Sequence, residues 1–303
     1  MKSVLLVNLG TPAAPTPEAV RDYLAEFLGD PRVVPLPRFI WLPILHGIVL
    51  RTRPAQSAEK YAQVWMPEGS PLAVHTVRQA QLLAERMQVP VRYAMRYGAP
   101  PVAPALRGLE EPVVVPLYPQ YADSTTGSVL DVLPAGCNVV REFHAHPAYI
   151  AALAARVKGH WAQRHRAPML VISFHGLPKR GAAHYEEDCH ATARLLAQAL
   201  GLRASEWRVT FQSRFGYAKW LEPYTEQTLA DLARAGTTKV DVVCPGFVAD
   251  CLETLEEIGI RARHVFEAAG GRELGLIECL NELPEWIAAL AALVTEASGR
   301  AGP

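Results

Sequence analysis

The sequence of 303 residues lacks a net charge, because its 30 lysines and arginines are matched by 30 aspartates and glutamates. A chain with no basic excess has no overall field to attract a phosphate backbone, so we predict no nucleic-acid partner. Cysteine is also scarce. The chain has five cysteines, an odd number, and no two of them form a Cys-x-x-Cys pair. This usage favours free thiols in a reducing compartment, and we expect a cytoplasmic protein.

Several common signatures are missing as well. A single lysine precedes the apolar run that begins at Ser3, and no small-residue cleavage site follows, so we expect no secretory signal. No Gly-x-x-x-x-Gly-Lys-Ser/Thr loop is present, and the loop at Gly10 has too few glycines for a dinucleotide fingerprint. No Gly-x-Ser-x-Gly turn occurs. The absence of that turn removes the main support for an α/β hydrolase.

One long apolar run, at residues 33–50, has nearly the length of a membrane span. Prolines and basic residues interrupt it, and these disfavour a spanning helix: Pro35, Pro37, Arg38, Pro43 and His46. Two interpretations remain open. The run is either a buried core loop or an exposed apolar lip, flanked by Arg51 and Arg53, that binds an apolar ligand or contacts a bilayer surface.

Strand-like and helical patterns alternate along the chain. Apolar runs at 4–8, 91–95 and 113–117 in the first half, and at 169–174, 207–212 and 240–244 in the second, are separated by helical spacings. This alternation predicts an α/β fold with two Rossmann-like lobes, each a mainly parallel sheet flanked by helices. We place the first lobe at 1–148, with the lip at about 33–55, the second at 149–284, and a closing helix at 285–303.

The chemistry is expected after the strands of the second lobe. The run at 169–174 leads into His175, and Gly176 and Pro178 then break the strand. Ligands of open α/β sheets bind outside the carboxyl ends of the strands, where an imidazole can exchange a proton or bind a metal near neutral pH. A structural histidine is the alternative.

Carboxylates follow the last of these strands. Asp250, Glu253 and Glu257 are spaced to share one face of the helix expected at 249–258, directly after the strand that ends near Cys244. A solvated acidic stripe is the ordinary interpretation of such spacing. Its position at the same sheet edge as His175 instead favours cation binding and proton transfer.

A further cluster, His184, Cys189 and His190, raises the question of zinc. A structural zinc site needs four ligands, commonly in paired short spacings. Because this cluster offers three at most, on or near one helix, we do not predict a structural zinc site.

The ordered motifs along nearly the whole chain resemble those of the ferrochelatase family. They are LLVNLGTP at 5–12, SAEKYAQVW at 57–65, EGSPL at 68–72, MRYG at 95–98, LYPQYADSTTGS at 117–128, ISFHGLP at 172–178, FQSRFG at 211–216 with Trp220, and CPGFVADCLETLEE at 244–257. The resemblance implies a chelatase-like fold and a lyase that inserts Fe²⁺ into protoporphyrin IX to give protohaem, the last step of haem biosynthesis.

The resemblance also implies roles by position. His175 and Glu253 are the expected catalytic and metal-binding pair, and Asp250 and Glu257 the expected proton or metal path on a partly π-type helix. The expected porphyrin-binding residues are Leu9, Arg53, Arg96, Tyr97, Tyr121, Trp220 and Phe247. Arg96 and Tyr97 are further expected on the wall opposite the histidine, with a part in metal delivery or binding.

Two positions depart from some members of the family. Cluster-bearing members hold a [2Fe–2S] group through four thiolates, whereas here Cys279 is the one thiol near the C-terminus and Asp123 stands where some relatives have cysteine. We therefore expect no cluster and no permanently bound cofactor, with Fe²⁺ as substrate. Relatives that act on coproporphyrin carry a tyrosine at the position of Leu9. The leucine therefore favours protoporphyrin IX as the substrate of this chain.

Three alternatives stay open at this point. One is a coproporphyrin III ferrochelatase or another tetrapyrrole metal chelatase. A second is a porphyrin or haem carrier without catalysis, against which the pair of His175 and Glu253 argues. A third is a two-lobed periplasmic binding protein. For the leading interpretation we expect a cytoplasmic enzyme that can lie at the inner face of the membrane through its apolar lip.

Overall fold

The computed structural model describes residues 2–214, 216 and 218–300. Phe215, part of the FQSRFG stretch, lies outside the described residues. The chain divides into two compact units, the first formed by 1–142 and 290–303 and the second by 143–289. The predicted lobes had their boundary at 148, and the predicted closing helix at 285–303 contributes its residues from 290 onward to the first unit.

The first unit contains a parallel sheet in the strand order β2-β1-β3-β4. Its strands are β1 (Ser3–Gly10), β2 (Val91–Tyr97), β3 (Pro112–Pro116) and β4 (Asn138–Val139). Its helices are α1 (Pro17–Gly29), α2 (Arg38–Ile44), α3 (Leu50–Val64), α4 (Pro71–Met87), α5 (Val102–Leu106) and α6 (Ser128–Leu130), with π-type turns at Leu45–Val49 and Asp123–Gly127. The central strand β1 is buried almost throughout, as its unbroken apolar run predicts.

The second unit repeats the same order, β6-β5-β7-β8, again with parallel pairing. Its strands are β5 (Leu170–His175), β6 (Trp207–Gln212), β7 (Lys239–Val243) and β8 (Glu273–Leu276). Its helices are α7 (Pro147–Gln163), α8 (Ala183–Ala199), α9 (Thr225–Arg234), α10 (Leu252–Leu255) and α11 (Arg263–Ala268), with a 3₁₀ turn at Ala204–Glu206 and a π-type segment at Glu257–Ala262; α12 (Pro284–Arg300) follows.

Two parallel four-stranded sheets flanked by helices confirm the predicted fold class. One local prediction is wrong. The sequence pattern at 263–266 predicts a short extended segment, but these residues form the first part of α11, and Phe266 is fully buried in the core of the second unit. Burial of that ring against the sheet outweighs the weak helix preference of valine and phenylalanine in this short stretch.

The first strand of each sheet ends against its neighbour through a glycine. Gly10 has φ +113°, and a Cβ there would lie 1.7 Å from the Tyr97 carbonyl oxygen. A Cβ on Gly176, directly after β5, would lie 2.7 Å from the Gln212 carbonyl oxygen. Only glycine permits so close a backbone approach, so both strand ends are held tightly to the second strand of their sheet.

The run at 33–50 is helical from Arg38 onward, and only residues 33–37 form a loop. Trp41, Leu45 and Leu50 are buried against the end of α1, and the Trp41 indole donates to the Leu28 carbonyl (2.7 Å). The other face is exposed and apolar, with Phe39 at 80% and Ile48 at 60% of full exposure. We name this face the apolar lip; its exposed members are Leu36, Phe39, Ile40, Ile44 and Ile48. No helix in the described part of the chain is both long enough and apolar enough to span a bilayer.

Candidate active site

His175 is the last residue of β5, where the strand passes from full burial to partial exposure. The phenol of Tyr185 on α8 donates a hydrogen bond to the His175 carbonyl (2.8 Å), and the Gly176 amide donates to the Gln212 carbonyl (2.8 Å). The backbone on both sides of the imidazole is therefore fixed. The predicted position at the carboxyl end of a strand is the one that the structure gives.

The imidazole has one nitrogen occupied by the backbone. His175 Nδ1 lies 2.6 Å from the Gly176 carbonyl oxygen. A carbonyl oxygen can only accept, so Nδ1 carries the proton in this hydrogen bond. In the neutral ring the lone pair then lies on Nε2, which is the atom able to take a proton or a metal ion.

Two aromatic side chains flank this imidazole. The ring centroids of Trp220 and Phe247 lie 6.5 and 6.4 Å from that of His175, and the Phe247 ring meets it edge to face. Trp220 is held by a backbone bridge to Pro178 and by the amide of Leu221, which donates to the Leu177 carbonyl (2.9 Å). The imidazole is thus set among apolar surfaces suited to a flat aromatic ligand.

Gln212 connects the histidine strand to Glu253. It is the register partner of His175 at the end of β6, and it is buried. Its Oε1 accepts a hydrogen bond from the Ser173 hydroxyl (2.7 Å), while its Nε2 donates to the Glu253 carbonyl (2.7 Å). One amide side chain therefore joins Ser173 on β5 to the start of α10, and it holds the backbone of Glu253.

Glu253 lies in the first turn of α10, a half-buried position. The helix start is formed by Cys251 and Thr254, because the Cys251 amide donates to the Thr254 hydroxyl (3.0 Å). Burial, and then the nearby Glu253 carboxylate, raises the pKa of the Cys251 thiol well above its ordinary value. Cys251 is thus a protonated neighbour of the carboxylate.

Asp250 does not share a helix face with Glu253 and Glu257, because α10 begins only after it. It is buried, and its carboxylate accepts hydrogen bonds from the Asn281 amide group (2.6 Å) and the Thr254 hydroxyl (3.0 Å). These contacts join the loop after β7 to the segment near Asn281.

Glu257 lies at the start of the π-type segment and is also buried. Its two carboxylate oxygens accept hydrogen bonds from the amide (2.7 Å) and hydroxyl (2.6 Å) of Ser213, and Arg261 pairs with it at 2.8 Å. Ser213 has φ +65°, a left-handed conformation that costs free energy for a residue with a side chain. Glu257 therefore stabilises the turn that follows Gln212.

The predicted residues of the first unit form separate groups. Arg96 and Tyr97 end β2 and both bind Asp30, with Arg96 Nη2 at 2.5 Å and the Tyr97 hydroxyl at 3.0 Å from Asp30 Oδ2. The Arg96 guanidinium lies over the Tyr97 ring, and its Nε donates to the Ser128 carbonyl (2.7 Å). Burial raises the pKa of the Tyr97 phenol well above its usual range.

Leu9, Tyr121 and Arg53 complete the predicted set. Leu9 is half-buried near the end of β1, beside the core around Tyr118. The Tyr121 hydroxyl donates to Asp123 (3.2 Å), and burial raises its pKa. Arg53 lies on α3, directly after the apolar lip, and burial lowers the pKa of its guanidinium.

Comparison with known proteins shows the family of this chain. A sequence model described as ferrochelatase matches residues 1–298. The chain belongs to the ferrochelatase family. Curated ferrochelatases from Aromatoleum aromaticum and Polaromonas sp. are 54% and 55% identical to it, over 98% and 95% of this chain and 87% and 85% of theirs.

Solved structures agree on the fold. A structure titled SirB from Bacillus subtilis with Fe³⁺ matches with a TM-score of 0.56 at 14% identity, covering 99% of this chain and 97% of that one. A structure of CbiX, described as the terminal enzyme of sirohaem biosynthesis in denitrifying bacteria, matches with a TM-score of 0.51 at 16% identity over the full length of both chains. These similarities show that the chain shares the fold of these two solved structures.

The sequence interpretation assigned no role to Gln212 or Asp30. Gln212 ends β6 beside His175, so the rule that placed the histidine at the sheet edge also applied to it. Asp30 gave no such signal, because it follows α1 and meets Arg96 only through the tertiary fold.

Proposed function

We propose that His175 Nε2 removes protons from the pyrrole nitrogens of protoporphyrin IX and that Glu253 acts with it in handling the ferrous ion. The activity is that of a ferrochelatase, a metal-chelating lyase that inserts Fe²⁺ into protoporphyrin IX and gives protohaem. The observation that supports the role of His175 is its hydrogen bond from Nδ1 to the Gly176 carbonyl, which leaves Nε2 as the basic atom.

The reaction sets the requirements for these residues. Two pyrrole N–H protons must leave the ring, and the metal must exchange its water ligands for the four ring nitrogens. A base beside the ring and a carboxylate able to bind the ion transiently meet these needs. Trp220 and Phe247 supply apolar surface for the macrocycle next to the base, and a site with few protein ligands releases the ion readily to the ring.

Absorbance-monitored insertion of Fe²⁺ into protoporphyrin IX without oxygen tests this proposal. His175→Ala is expected to lower the rate by about a thousandfold, as removal of a general base does, while circular dichroism and the melting temperature stay close to wild type. Retained insertion by a folded His175→Ala protein would refute the role of His175. Competition between protoporphyrin IX and coproporphyrin III in one assay measures the porphyrin preference.

Asp250 and Glu257, the two buried acids, have roles different from those of His175 and Glu253 in this proposal. Asp250 and Glu257 hold the loops around the site through their hydrogen bonds to Asn281 and Ser213. We propose in addition that the two carboxylates serve as a path for protons that leave the site. Asp250→Asn and Glu257→Gln separate the roles, because a solvent isotope effect on insertion that changes with either substitution supports the path.

We further propose that the chain works without a [2Fe–2S] cluster. Cys279 is the one thiol near the C-terminus and Asp123 stands where some cluster-bearing relatives have cysteine, whereas a cluster is bound by four thiolates. An iron–sulfur absorbance band with matching iron and sulfide in the pure protein would contradict this.

The apolar lip is proposed to contact a bilayer surface from the cytoplasmic side. The side chains of Phe39 and Ile48 are exposed, and Arg51 and Arg53 follow them in the sequence. Apolar side chains next to basic ones suit an interface with anionic lipid. Phe39→Glu is expected to reduce co-sedimentation with anionic vesicles, whereas Val132→Glu, at another exposed apolar position, leaves it unchanged. Equal co-sedimentation of the two variants would contradict the proposal.

A further inference from the structure

A chain of buried polar side chains lies in the core of the second unit, beneath the strand end that carries His175. Its members are Ser173 on β5, Thr210 and Gln212 on β6, and Thr225, the first residue of α9. None of the four is more than 4% exposed. Burying a hydroxyl or an amide costs free energy that an apolar side chain would not cost. Four such groups in one chain of contacts therefore indicate a role other than packing.

The pairing of the strands brings these side chains together. Ser173 pairs with Thr210 in the parallel register of β5 and β6. The next pair on the same face is that of His175 and Gln212, because residues two apart on a strand project to one side. Thr225 meets this face at the start of α9, where its hydroxyl oxygen lies 2.8 Å from that of Ser173 and 2.9 Å from that of Thr210. The chain thus joins α9 to the face of the sheet that carries His175.

The Ser173 hydroxyl selects the orientation of the Gln212 amide. It donates its one proton to Gln212 Oε1 (2.7 Å), because an amide oxygen can only accept. The Cys244 thiol is a second and weaker donor to the same oxygen (3.6 Å). The two ends of an amide group are nearly equal in size, so its hydrogen bonds decide which end faces which partner. With the oxygen held at Ser173, the amide nitrogen faces the Glu253 carbonyl and donates to it (2.7 Å).

Thr225 holds the Ser173 hydroxyl from the other side. A serine hydroxyl with a single partner can turn away from it, whereas the Ser173 oxygen has both Gln212 and Thr225 within hydrogen-bond distance. Hydrogen bonds linked in series also strengthen one another in a low-dielectric core. The Thr225 hydroxyl therefore supports the contact between Ser173 and Gln212 from a position that a bound porphyrin does not reach, since only 1% of Thr225 is exposed.

We propose that Ser173 and Thr225 are positioning residues for metal insertion. They act through the Gln212 amide on the backbone of Glu253, so this role rests on the proposed function of that carboxylate. The amide holds the first turn of α10, from which the Glu253 side chain projects. Misplacing a reacting group by about 1 Å can lower a rate about a hundredfold. Loss of either hydroxyl is therefore expected to lower kcat and to leave the KM for porphyrin unchanged.

A double-mutant cycle on the full chain tests the role of Ser173. Ser173→Ala and Gln212→Met, alone and together, are compared by insertion of Fe²⁺ into protoporphyrin IX without oxygen. We expect Ser173→Ala to lower kcat about tenfold, with KM within about twofold of wild type, and to lower it by less than about twofold in the Gln212→Met chain. Effects that multiply in the double variant, or an unchanged kcat for Ser173→Ala, would overturn the proposal.

Thr225 provides a second test that leaves the strand unaltered. Thr225→Val keeps nearly the same shape, and we expect it to lower kcat about threefold, whereas Thr225→Ser retains the hydroxyl and the wild-type kcat. Thr192→Val is the matched control, because Thr192 is a fully buried threonine of the same unit whose hydroxyl contacts the His144 and Asp188 carbonyls. Its substitution is expected to lower the melting temperature and to leave kcat at the wild-type value. Equal losses of kcat in Thr192→Val and Thr225→Val would reduce the effect to a general loss of packing and contradict the positioning role.

The proposed function has its own outcome in the same assay. Retained insertion by Glu253→Gln would contradict the role of that carboxylate, whatever the cycle shows. Multiplied effects in the cycle, with insertion abolished by Glu253→Gln, would remove only the positioning role of Ser173 and Thr225.

Discussion

The two units share one sheet topology and carry different chemistry at the same edge. In each sheet the first strand lies between the second and the third, and its end is pressed onto the second strand through a glycine. Before that glycine stands Leu9 in the first unit and His175 in the second. The repeated backbone therefore supplies positions, and the side chain placed there supplies the reactivity.

The ends of the second strands, β2 in the first unit and β6 in the second, also differ in the side chains that they carry. In the first unit, Arg96 and Tyr97 both bind Asp30 in a closed charged cluster. In the second, Gln212 makes neutral hydrogen bonds to Ser173 and to the Glu253 backbone, and the imidazole retains a basic nitrogen. The first edge therefore holds its charges in an ion pair, whereas the second leaves a basic nitrogen available, as the proposed exchange of protons and metal requires.

The sharpest test of the reactive edge is Glu253→Gln. This change keeps the size of the side chain and removes its charge, and we expect metal insertion to fall by about a thousandfold. Anaerobic insertion kinetics measure the loss, with Glu267→Gln on an exposed face of the second unit as control. Activity within twofold of wild type would show that the carboxylate is not required.

At the charged edge, Asp30→Asn is expected to act on stability. It leaves the Arg96 guanidinium buried without its counter-charge, and we expect a loss of about 3 kcal/mol in the free energy of unfolding. Urea denaturation measures this. Asp231→Asn, which breaks an exposed pair with Arg234, should cost less than about 1 kcal/mol. Similar costs for both variants would mean that the Asp30 cluster contributes no more than a surface ion pair.

Gln212→Met tests the link between the two candidate catalytic residues. Methionine keeps the volume and loses the hydrogen bonds to Ser173 and Glu253, so we expect kcat to fall about tenfold with the porphyrin KM unchanged. Gln227→Met on the exposed face of α9 is the control. A rise in KM with constant kcat would instead place Gln212 in porphyrin binding.

The smallest expected effect concerns the thiols. Burial raises the pKa of Cys189, Cys244 and Cys251, so at pH 8 few of these thiols are ionised and alkylation of the native protein should be slow. Mass spectrometry after iodoacetamide treatment should find Cys137, which is half-buried, modified first, and all five cysteines modified after denaturation. Rapid native alkylation of Cys251 would indicate that the loop before Glu253 opens readily.

Much of the fold followed from local patterns. Apolar runs between helical spacings gave the parallel strands, and Gly176 and Pro178 gave the end of β5 after His175. Residue spacing predicted the helix around Glu253 only in part, because Asp250 precedes α10; the π-type segment at Glu257 was implied by the family resemblance and not by the spacing. Spacing rules assume a regular helix, and the hydrogen bonds that break this regularity come from Asn281 and Ser213, which are distant in the sequence.

The sequence by itself determined the α/β class, the family and the place of His175, because strand periodicity and strand-ending residues are local properties of the chain. Only the tertiary structure decided that Gln212 joins Ser173 on the histidine strand to the Glu253 backbone, and that Glu257 holds the turn at Ser213. Each of these depends on hydrogen bonds or packing between segments far apart in the chain. Such contacts form only when the strands and helices have been brought together, and no local pattern encodes them.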